Sequence, residues 1–178
     1  MNSVQLRDKK FDILLPESIL LKGIDDVAQQ INKDFKDQDP LFICILNGAF
    51  MFAAELINRF HSECEIAFVR LKSYEGLERK KTMREIHGLM ENIENRHVLI
   101  VEDVIDTGYT MEHLLNILKD KHPASVKIAT LLFKPTALLR PIKPDYVVQE
   151  IPNDFVVGFG LDYEGRGRNL RNIYKIKS

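Results

Sequence analysis

The chain has 178 residues, of which 45% are hydrophobic and 29% are charged, and its formal net charge is −1. This length predicts one domain with a core large enough for independent folding, and the balanced charge excludes a global field that would draw it to nucleic acid or a membrane surface. No apolar run approaches the roughly 20 residues that span a bilayer. Residues 1–10 lack the apolar centre of a signal peptide, so we expect a cytoplasmic protein.

Apolar runs and amphipathic segments alternate along most of the chain. Helical spacing of apolar residues predicts helices over residues 18–35, 48–60 and 111–118. Short apolar runs without clean alternation, typical of strands buried on both faces, occur at residues 41–46, 66–71, 98–101, 126–133 and 146–151. Strands that alternate with helices predict an α/β fold with a twisted, mainly parallel sheet flanked by helices.

Two regions interrupt this alternation. Residues 75–84 are highly charged and show no periodicity, which predicts a mobile loop, and residues 90–96 predict a turn before the next strand. The segment after Pro144 predicts two short strands, a loop rich in glycine and arginine, and a short apolar end. No repeat or linker divides the chain, so residues 1–178 are predicted to form a single domain.

The predicted strand at residues 98–101 runs directly into two acids, Glu102 and Asp103. Ligands of α/β sheets bind at the carboxyl ends of strands. Adjacent carboxylates there can accept hydrogen bonds from vicinal hydroxyls and can organise Mg²⁺ directly or through water. Neither carboxylate is expected to be deeply buried without a partner, because a lone buried charge is costly.

The next residues, Asp106 to Thr110, place a glycine between polar residues where a helix begins. Consecutive N–H groups and the positive end of a helix attract a phosphate, and Gly108 allows close approach of the backbone. Together with the two preceding acids, these features predict a site for a sugar phosphate and a divalent metal. The alternative is an ordinary helix cap, in which Asp106 or Thr107 accepts a hydrogen bond from the next turn.

Residues 101–110 resemble the phosphoribosyl-pyrophosphate motif of the phosphoribosyltransferases, and more narrowly the chain resembles the hypoxanthine–guanine phosphoribosyltransferases. The similarity runs from about residue 41 to residue 168. Four further segments resemble family motifs in the same order: Leu-Asn-Gly-Ala at 46–49, Leu-Lys-Ser-Tyr at 71–74, Leu-Phe-Lys-Pro at 132–135, and Phe-Val-Val-Gly-Phe-Gly-Leu-Asp-Tyr at 155–163.

The resemblance implies a type I phosphoribosyltransferase core over about residues 17–144 and a small hood formed by about residues 1–16 and 145–178. It also implies a purine-salvage reaction, in which the 5-phosphoribosyl group of phosphoribosyl pyrophosphate is transferred to hypoxanthine and guanine. IMP or GMP and pyrophosphate are the products, and Mg²⁺ assists. The expected partners are these small molecules and further copies of the chain in a homodimer or homotetramer, with no nucleic acid and no membrane.

For the donor, the resemblance implies that Glu102 and Asp103 hold the ribose hydroxyls and favour a cationic sugar at the transition state. Asp106 becomes the candidate general acid/base at purine N7. The 5′-phosphate would contact Asp106, Thr107, Gly108, Tyr109 and Thr110.

The pyrophosphate is expected to contact Leu46, Asn47, Gly48 and Arg168, although Arg168 alone would be taken for a surface arginine. Ser73 and Tyr74 would begin a flexible loop that closes over the reactants and excludes water. Asn47 departs from the family pattern, because some relatives carry lysine or arginine there, so one charge is missing. The peptide bond before this residue can be cis in the family. Whether residues 75–84 contact pyrophosphate is left open, with a solvated charge run as the alternative.

For the base, the resemblance implies that Lys134 donates to the purine O6, that Phe155 stacks on the ring and that Val156 contributes main-chain groups. Asp162, on the purine side, would join Glu102 and Asp103 as a ligand to Mg²⁺. Without the resemblance, an exposed lysine, a core aromatic residue and a turn aspartate would be the ordinary interpretations of these side chains.

Two alternatives remain at this point. A ligand-sensing regulator on the same fold would need a basic face or an added nucleic-acid-binding domain, and the net charge of −1 disfavours it. A phosphoribosyltransferase that prefers xanthine is harder to distinguish by sequence from one that uses hypoxanthine and guanine. Adenine is disfavoured, because Lys134 would oppose a 6-amino group.

Overall fold

The computed structural model describes residues 3–75 and 81–177. In chain order its strands and helices are β1 (Ser3–Leu6), β2 (Lys9–Leu15), α1 (Glu17–Asp34), β3 (Leu41–Leu46), α2 (Phe50–Ile57), β4 (Glu65–Glu75), β5 (Lys81–His87), β6 (His97–Ile105), α3 (Tyr109–Lys119), β7 (Ser125–Phe133), β8 (Tyr146–Glu150), β9 (Val156–Val157) and β10 (Ile173–Ile176). None of the described helices is long and apolar enough to cross a membrane.

The larger sheet has the strand order β5-β4-β3-β6-β7-β8, and all its neighbours pair in parallel except β5, which is antiparallel to β4. The predicted α/β fold with a mainly parallel sheet flanked by helices is therefore confirmed. In β3, Phe42 and Cys44 pack in the cluster that includes α1 and α2, whereas Leu41 and Ile43 pack in the cluster that includes α3. Burial on both faces explains why this strand is apolar without alternation.

The smaller sheet is antiparallel, with the order β1-β2-β10-β9. Phe11, Val157 and Tyr174 form a separate buried cluster, whereas Val156 and Ile173 of the same sheet are buried in the main core. The sequence assigned the N-terminal segment to a hood without predicting the β1–β2 hairpin. Strand β8 pairs with β7 in the larger sheet, so the C-terminal part of the smaller sheet begins only after Glu150 and not near residue 145. The reason is that Tyr146 is buried in the main core.

The prediction of a loop over residues 75–84 is wrong at both ends of that range. Strand β4 extends to Glu75 and β5 begins at Lys81, with these two residues paired. An edge pair held by backbone hydrogen bonds does not require the apolar alternation that marks a half-buried strand. Residues 76–80 lie outside the described residues. The turn predicted at residues 90–96 is confirmed.

Candidate active site

Strand β6 runs four residues further than its apolar stretch, so Glu102 and Asp103 lie inside the strand and not beyond it. Glu102 pairs in register with Thr130 of β7 and is only 7% exposed. Its Oε2 atom has no hydrogen-bond partner among the described residues. Burial, and then the neighbouring Asp103 carboxylate, raise the pKa of Glu102 well above its usual range. Glu102 is therefore deeply buried with one of its two carboxylate oxygens unpaired in the described structure, contrary to the expectation from the sequence.

The Asp103 carboxylate lies where three segments of the chain meet. Its Oδ1 accepts a hydrogen bond of 2.7 Å from the Val104 N–H. A Cβ atom on Gly48 would lie 1.4 Å from Asp103 Oδ2, and a Cβ atom on Gly160 would lie 1.9 Å from the Gly48 carbonyl oxygen. Burial raises the pKa of Asp103, while the Glu102 hydrogen bond and the Arg168 charge oppose that shift. Only glycine at position 48 allows its loop to approach the carboxylate so closely, and only glycine at position 160 allows the C-terminal loop to approach Gly48.

The segment between β6 and α3 forms a cavity of about 230 Å³ lined by residues 102–108, Thr110 and Met111. Gly108 is the N-cap of α3, with φ at 84°, and no side chain makes a capping hydrogen bond. The helix-cap alternative for Asp106 and Thr107 is therefore wrong. The N-terminal N–H groups of α3 lie at this cavity and can bind an anion. Tyr109 is half exposed, and the Arg140 guanidinium lies 4.3 Å from its ring centroid.

Lys134 follows β7 and lies beside the end of β6, because its N–H donates to the Ile105 carbonyl at 3.0 Å. Its side chain is buried and its Nζ donates to Asp106 Oδ2 at 2.8 Å. The alternative of a solvent-exposed lysine is therefore wrong. The two parallel strand ends place an ammonium and a carboxylate side by side at the edge of the cavity.

The smaller sheet contributes Phe155, which is 48% exposed, so the alternative of a core aromatic residue is wrong. Its ring lies 6.0 Å from the ring of Tyr163 in a T-shaped arrangement and 6.4 Å from that of Phe11. Val156 is buried in β9 and pairs with Lys175. These aromatic contacts hold the Phe155 ring and leave about half of the residue accessible.

Arg168 connects the C-terminal loop to the acidic residues. Its Nη1 donates to the Gly160 carbonyl at 2.7 Å, and its Nη2 lies 2.6 Å from Asp162 Oδ1. The other oxygen of Asp162 accepts a 2.6 Å hydrogen bond from the Gly165 N–H, so Asp162 also stabilises a turn. Because the Arg168 charge acts on Asp103 as well, Arg168 belongs to this group of residues and is not an isolated surface arginine.

The loop at residues 46–49 contacts Asp103 through Gly48, and the peptide bond between Leu46 and Asn47 is cis. Asn47 Oδ1 accepts a 2.6 Å hydrogen bond from Arg70 Nη2. Sequence reasoning missed Arg70, although it directly precedes the Leu-Lys-Ser-Tyr motif. The backbone of Ser73 and Tyr74 lies within β4, paired with β5. Their side chains lie outside the described part of the structure.

Comparison with known proteins gives a consistent result. Residues 11–164 match the family model of the phosphoribosyl transferase domain. The hypoxanthine-guanine phosphoribosyltransferase of Streptococcus thermophilus is 38% identical over 166 residues, which cover 93% of this chain and 92% of that protein. The enzyme of the same name from Streptococcus pneumoniae is also 38% identical over 166 residues, with the same coverage.

Comparison with solved structures identifies similar enzymes. The chain matches a hypoxanthine phosphoribosyltransferase from Staphylococcus aureus with a TM-score of 0.85 and 34% identity, covering 93% of this chain and 91% of that chain. A mutant hypoxanthine phosphoribosyltransferase from Trypanosoma cruzi, solved as a ternary substrates complex, matches with a TM-score of 0.85 and 36% identity, covering 93% of this chain and 94% of that chain.

Proposed function

The chain belongs to the hypoxanthine–guanine phosphoribosyltransferase family, and from that premise we propose its reaction and the roles of its residues. It transfers the 5-phosphoribosyl group of phosphoribosyl pyrophosphate to hypoxanthine and guanine, and it forms IMP or GMP and pyrophosphate in purine salvage. The ligand-sensing regulator is not favoured, because the relatives are named as transferases.

The observation that supports a 6-oxopurine most directly is the Lys134–Asp106 pair, whose charged atoms are 2.8 Å apart. The purine atoms O6 and N7 lie next to each other on one edge of the base. An ammonium beside a carboxylate matches that edge, because Lys134 can donate to O6 while Asp106 accepts from N7–H. Adenine carries an amino donor in place of O6, so Lys134 would be left facing a donor.

Asp106 moves the proton in the proposed mechanism. Nucleophilic attack by N9 on the ribose C1′ forms the glycosidic bond, and the bond from C1′ to the pyrophosphate oxygen breaks with its electron pair. The purine loses its N7 proton to Asp106 as N9 reacts. Lys134 has three N–H donors, so it can retain Asp106 while it binds O6, which keeps both groups oriented.

Glu102 and Asp103 bind the ribose hydroxyls, and their negative charge favours the cationic ribose at the transition state. Support comes from Glu102 Oε2, which is buried without a hydrogen-bond partner among the described residues and therefore available to a hydroxyl or a cation. The 5′-phosphate lies in the adjacent cavity at the start of α3, where residues 106–110 offer backbone N–H groups and threonine hydroxyls.

Mg²⁺ fits the same carboxylates. Glu102, Asp103 and Asp162 provide the hard oxygen ligands that this ion prefers. Within the described ranges no three His, Cys, Asp or Glu side chains form a ready-made metal site, so the diphosphate and water would complete the coordination. When bound, Mg²⁺ would neutralise charge that develops on the departing pyrophosphate.

Phe155 stacks on the purine, and the main chain of Val156 contacts the base between the two sheets. Residues 1–178 would form one domain. A cytoplasmic location and a homodimer or homotetramer remain predictions. An oligomer is supported by Ile66 and Phe68 of β4, which are 42% and 51% exposed.

Substitution of Lys134 by glutamine tests the assignment of the purine site. The variant should lose affinity for hypoxanthine by roughly 10-fold or more, because a charge-assisted hydrogen bond is replaced by a weaker one. The KM for phosphoribosyl pyrophosphate should change far less. Initial-rate measurements with each substrate varied in turn separate the two constants. Equal increases in both would contradict the assignment of Lys134 to the base.

A further inference from the structure

Arg70 lies at the C-terminal part of β4 and is exposed to solvent. In β4, Ala67 and Val69 pack in the cluster that includes α3, so Arg70 projects from the opposite face of the strand. From there its Nη2 donates to Asn47 Oδ1 at 2.6 Å. The guanidinium therefore lies beside the loop at residues 46–49.

That loop lies directly against the acidic residues. Gly48 follows Asn47 and contacts the Asp103 carboxylate so closely that a Cβ atom would lie 1.4 Å from its Oδ2. Arg70 therefore contacts Asn47, and the next residue, Gly48, contacts the Asp103 carboxylate. An anion bound along the backbone of residues 46–48 would therefore lie near both this guanidinium and the Asp103 carboxylate.

Two other cations among the described side chains of the site are bound to carboxylates. Lys134 pairs with Asp106, and Arg168 pairs with Asp162. The described hydrogen bond of Arg70 is to a neutral amide, which leaves its charge uncancelled by that contact. A pyrophosphate group held near Glu102 and Asp103 needs cations to offset repulsion by those acids.

We propose that Arg70 is a pyrophosphate-binding residue, positioned by Asn47, and that it supplies the positive charge that the loop at residues 46–49 lacks. The proposal rests on the transferase function proposed above. A guanidinium is suited to this role because it can donate two parallel hydrogen bonds to phosphate oxygens. Asn47 orients it by accepting one N–H and leaves further donors on the same group for the ligand.

The test compares Arg70→Gln with Arg59→Gln, which removes an arginine paired with Asp25 and Glu55. Two quantities are measured: the KM for phosphoribosyl pyrophosphate and the Kd for magnesium pyrophosphate by calorimetry. Arg70→Gln should raise both by roughly 10- to 100-fold, since it removes hydrogen bonds to a charged group. The KM for hypoxanthine should stay within about twofold of wild type, which is well under the effect of one such bond.

A second variant separates charge from structure. Adding Asn47→Lys to Arg70→Gln returns a cation to the loop and should recover most of the lost pyrophosphate affinity, whereas a purely structural role for Arg70 would leave that affinity low. The proposal is overturned if Arg70→Gln behaves as Arg59→Gln does, if hypoxanthine affinity falls equally, or if the added lysine recovers nothing. If wild-type protein forms no nucleotide but binds magnesium pyrophosphate through Arg70, the transferase function fails and the binding role stands.

Discussion

Replacement of Glu102 by glutamine should stabilise the ligand-free protein while it weakens donor binding. The carboxylate is 7% exposed and its Oε2 has no hydrogen-bond partner in the described structure. An unsatisfied buried polar group costs about 1–3 kcal/mol. The glutamine amide has nearly the same shape, carries no charge and can donate to the Asp103 carboxylate. At about 2–4 °C per kcal/mol for a domain of this size, the melting temperature at pH 7 should rise by roughly 2–12 °C.

The raised pKa of Glu102 determines how the stability difference between Glu102→Gln and wild type should change with pH. Burial raises the pKa of Glu102 in the folded protein well above the ordinary value of 4.5 for a glutamate. The folded state therefore binds more protons than the unfolded state as pH rises above 4.5, and wild-type stability falls through that window. Below pH 4.5 the carboxyl is protonated in both states and the penalty is absent. The advantage of Glu102→Gln should thus be small near pH 4.5 and grow towards pH 7.

Thermal unfolding from pH 4.5 to 8, without ligands, measures this difference. Glu94→Gln is the matched control, since Glu94 is exposed and the same change should leave the melting temperature nearly constant. The KM of Glu102→Gln for phosphoribosyl pyrophosphate should rise at the same time, because the residue would accept ribose hydroxyls less well. A variant that is less stable than wild type at neutral pH, or a stability difference independent of pH, would refute the reasoning.

Three other substitutions test separate parts of the site. Asp106→Asn should lower kcat by roughly 10²–10⁴ while donor binding persists, as expected for a general acid/base; a near-normal kcat would remove Asp106 from that role. Gly48→Ala should cost about 1–3 kcal/mol of stability and raise the donor KM, because its Cβ atom would lie 1.4 Å from Asp103 Oδ2; denaturant unfolding and donor kinetics check both effects. Phe155→Ala should raise the purine KM by roughly 5- to 100-fold, the range expected for loss of one stacking contact, with little change in unfolding because the ring is 48% exposed; an unchanged purine KM would exclude stacking.

The main sheet is accessible from sequence because its strands are buried on both faces. Strand β3 has the bounds that its apolar run predicts, and burial against helices on both sides leaves a continuous signal of apolar residues. The end of β4 and all of β5 leave no such signal, because a charged strand can be held in place by backbone pairing alone. The N-terminal hairpin is short and only Phe11 in it is fully buried, so its pattern is weak.

The sequence predicts the local part of the site well and its contacts between distant segments poorly. The residues of 101–110 follow one another, so their placement at the strand end requires only local structure. Burial of Glu102 depends on β7, and contact of Gly48 and Gly160 near Asp103 depends on loops far apart in sequence. The interaction between Arg70 and Asn47 joins β4 to the loop that follows β3, and neither residue type alone indicates it.

The most direct test of the proposed transferase function is nucleotide formation from a panel of bases. Wild-type protein is mixed with phosphoribosyl pyrophosphate, Mg²⁺ and one of hypoxanthine, guanine, xanthine or adenine, and the products are separated by chromatography. The Lys134–Asp106 pair predicts efficient formation of IMP and GMP and little AMP. The yield from xanthine decides the remaining alternative of a xanthine-preferring enzyme. Formation of AMP as readily as IMP would contradict the role of Lys134, and the absence of any nucleotide product would contradict the transferase function itself.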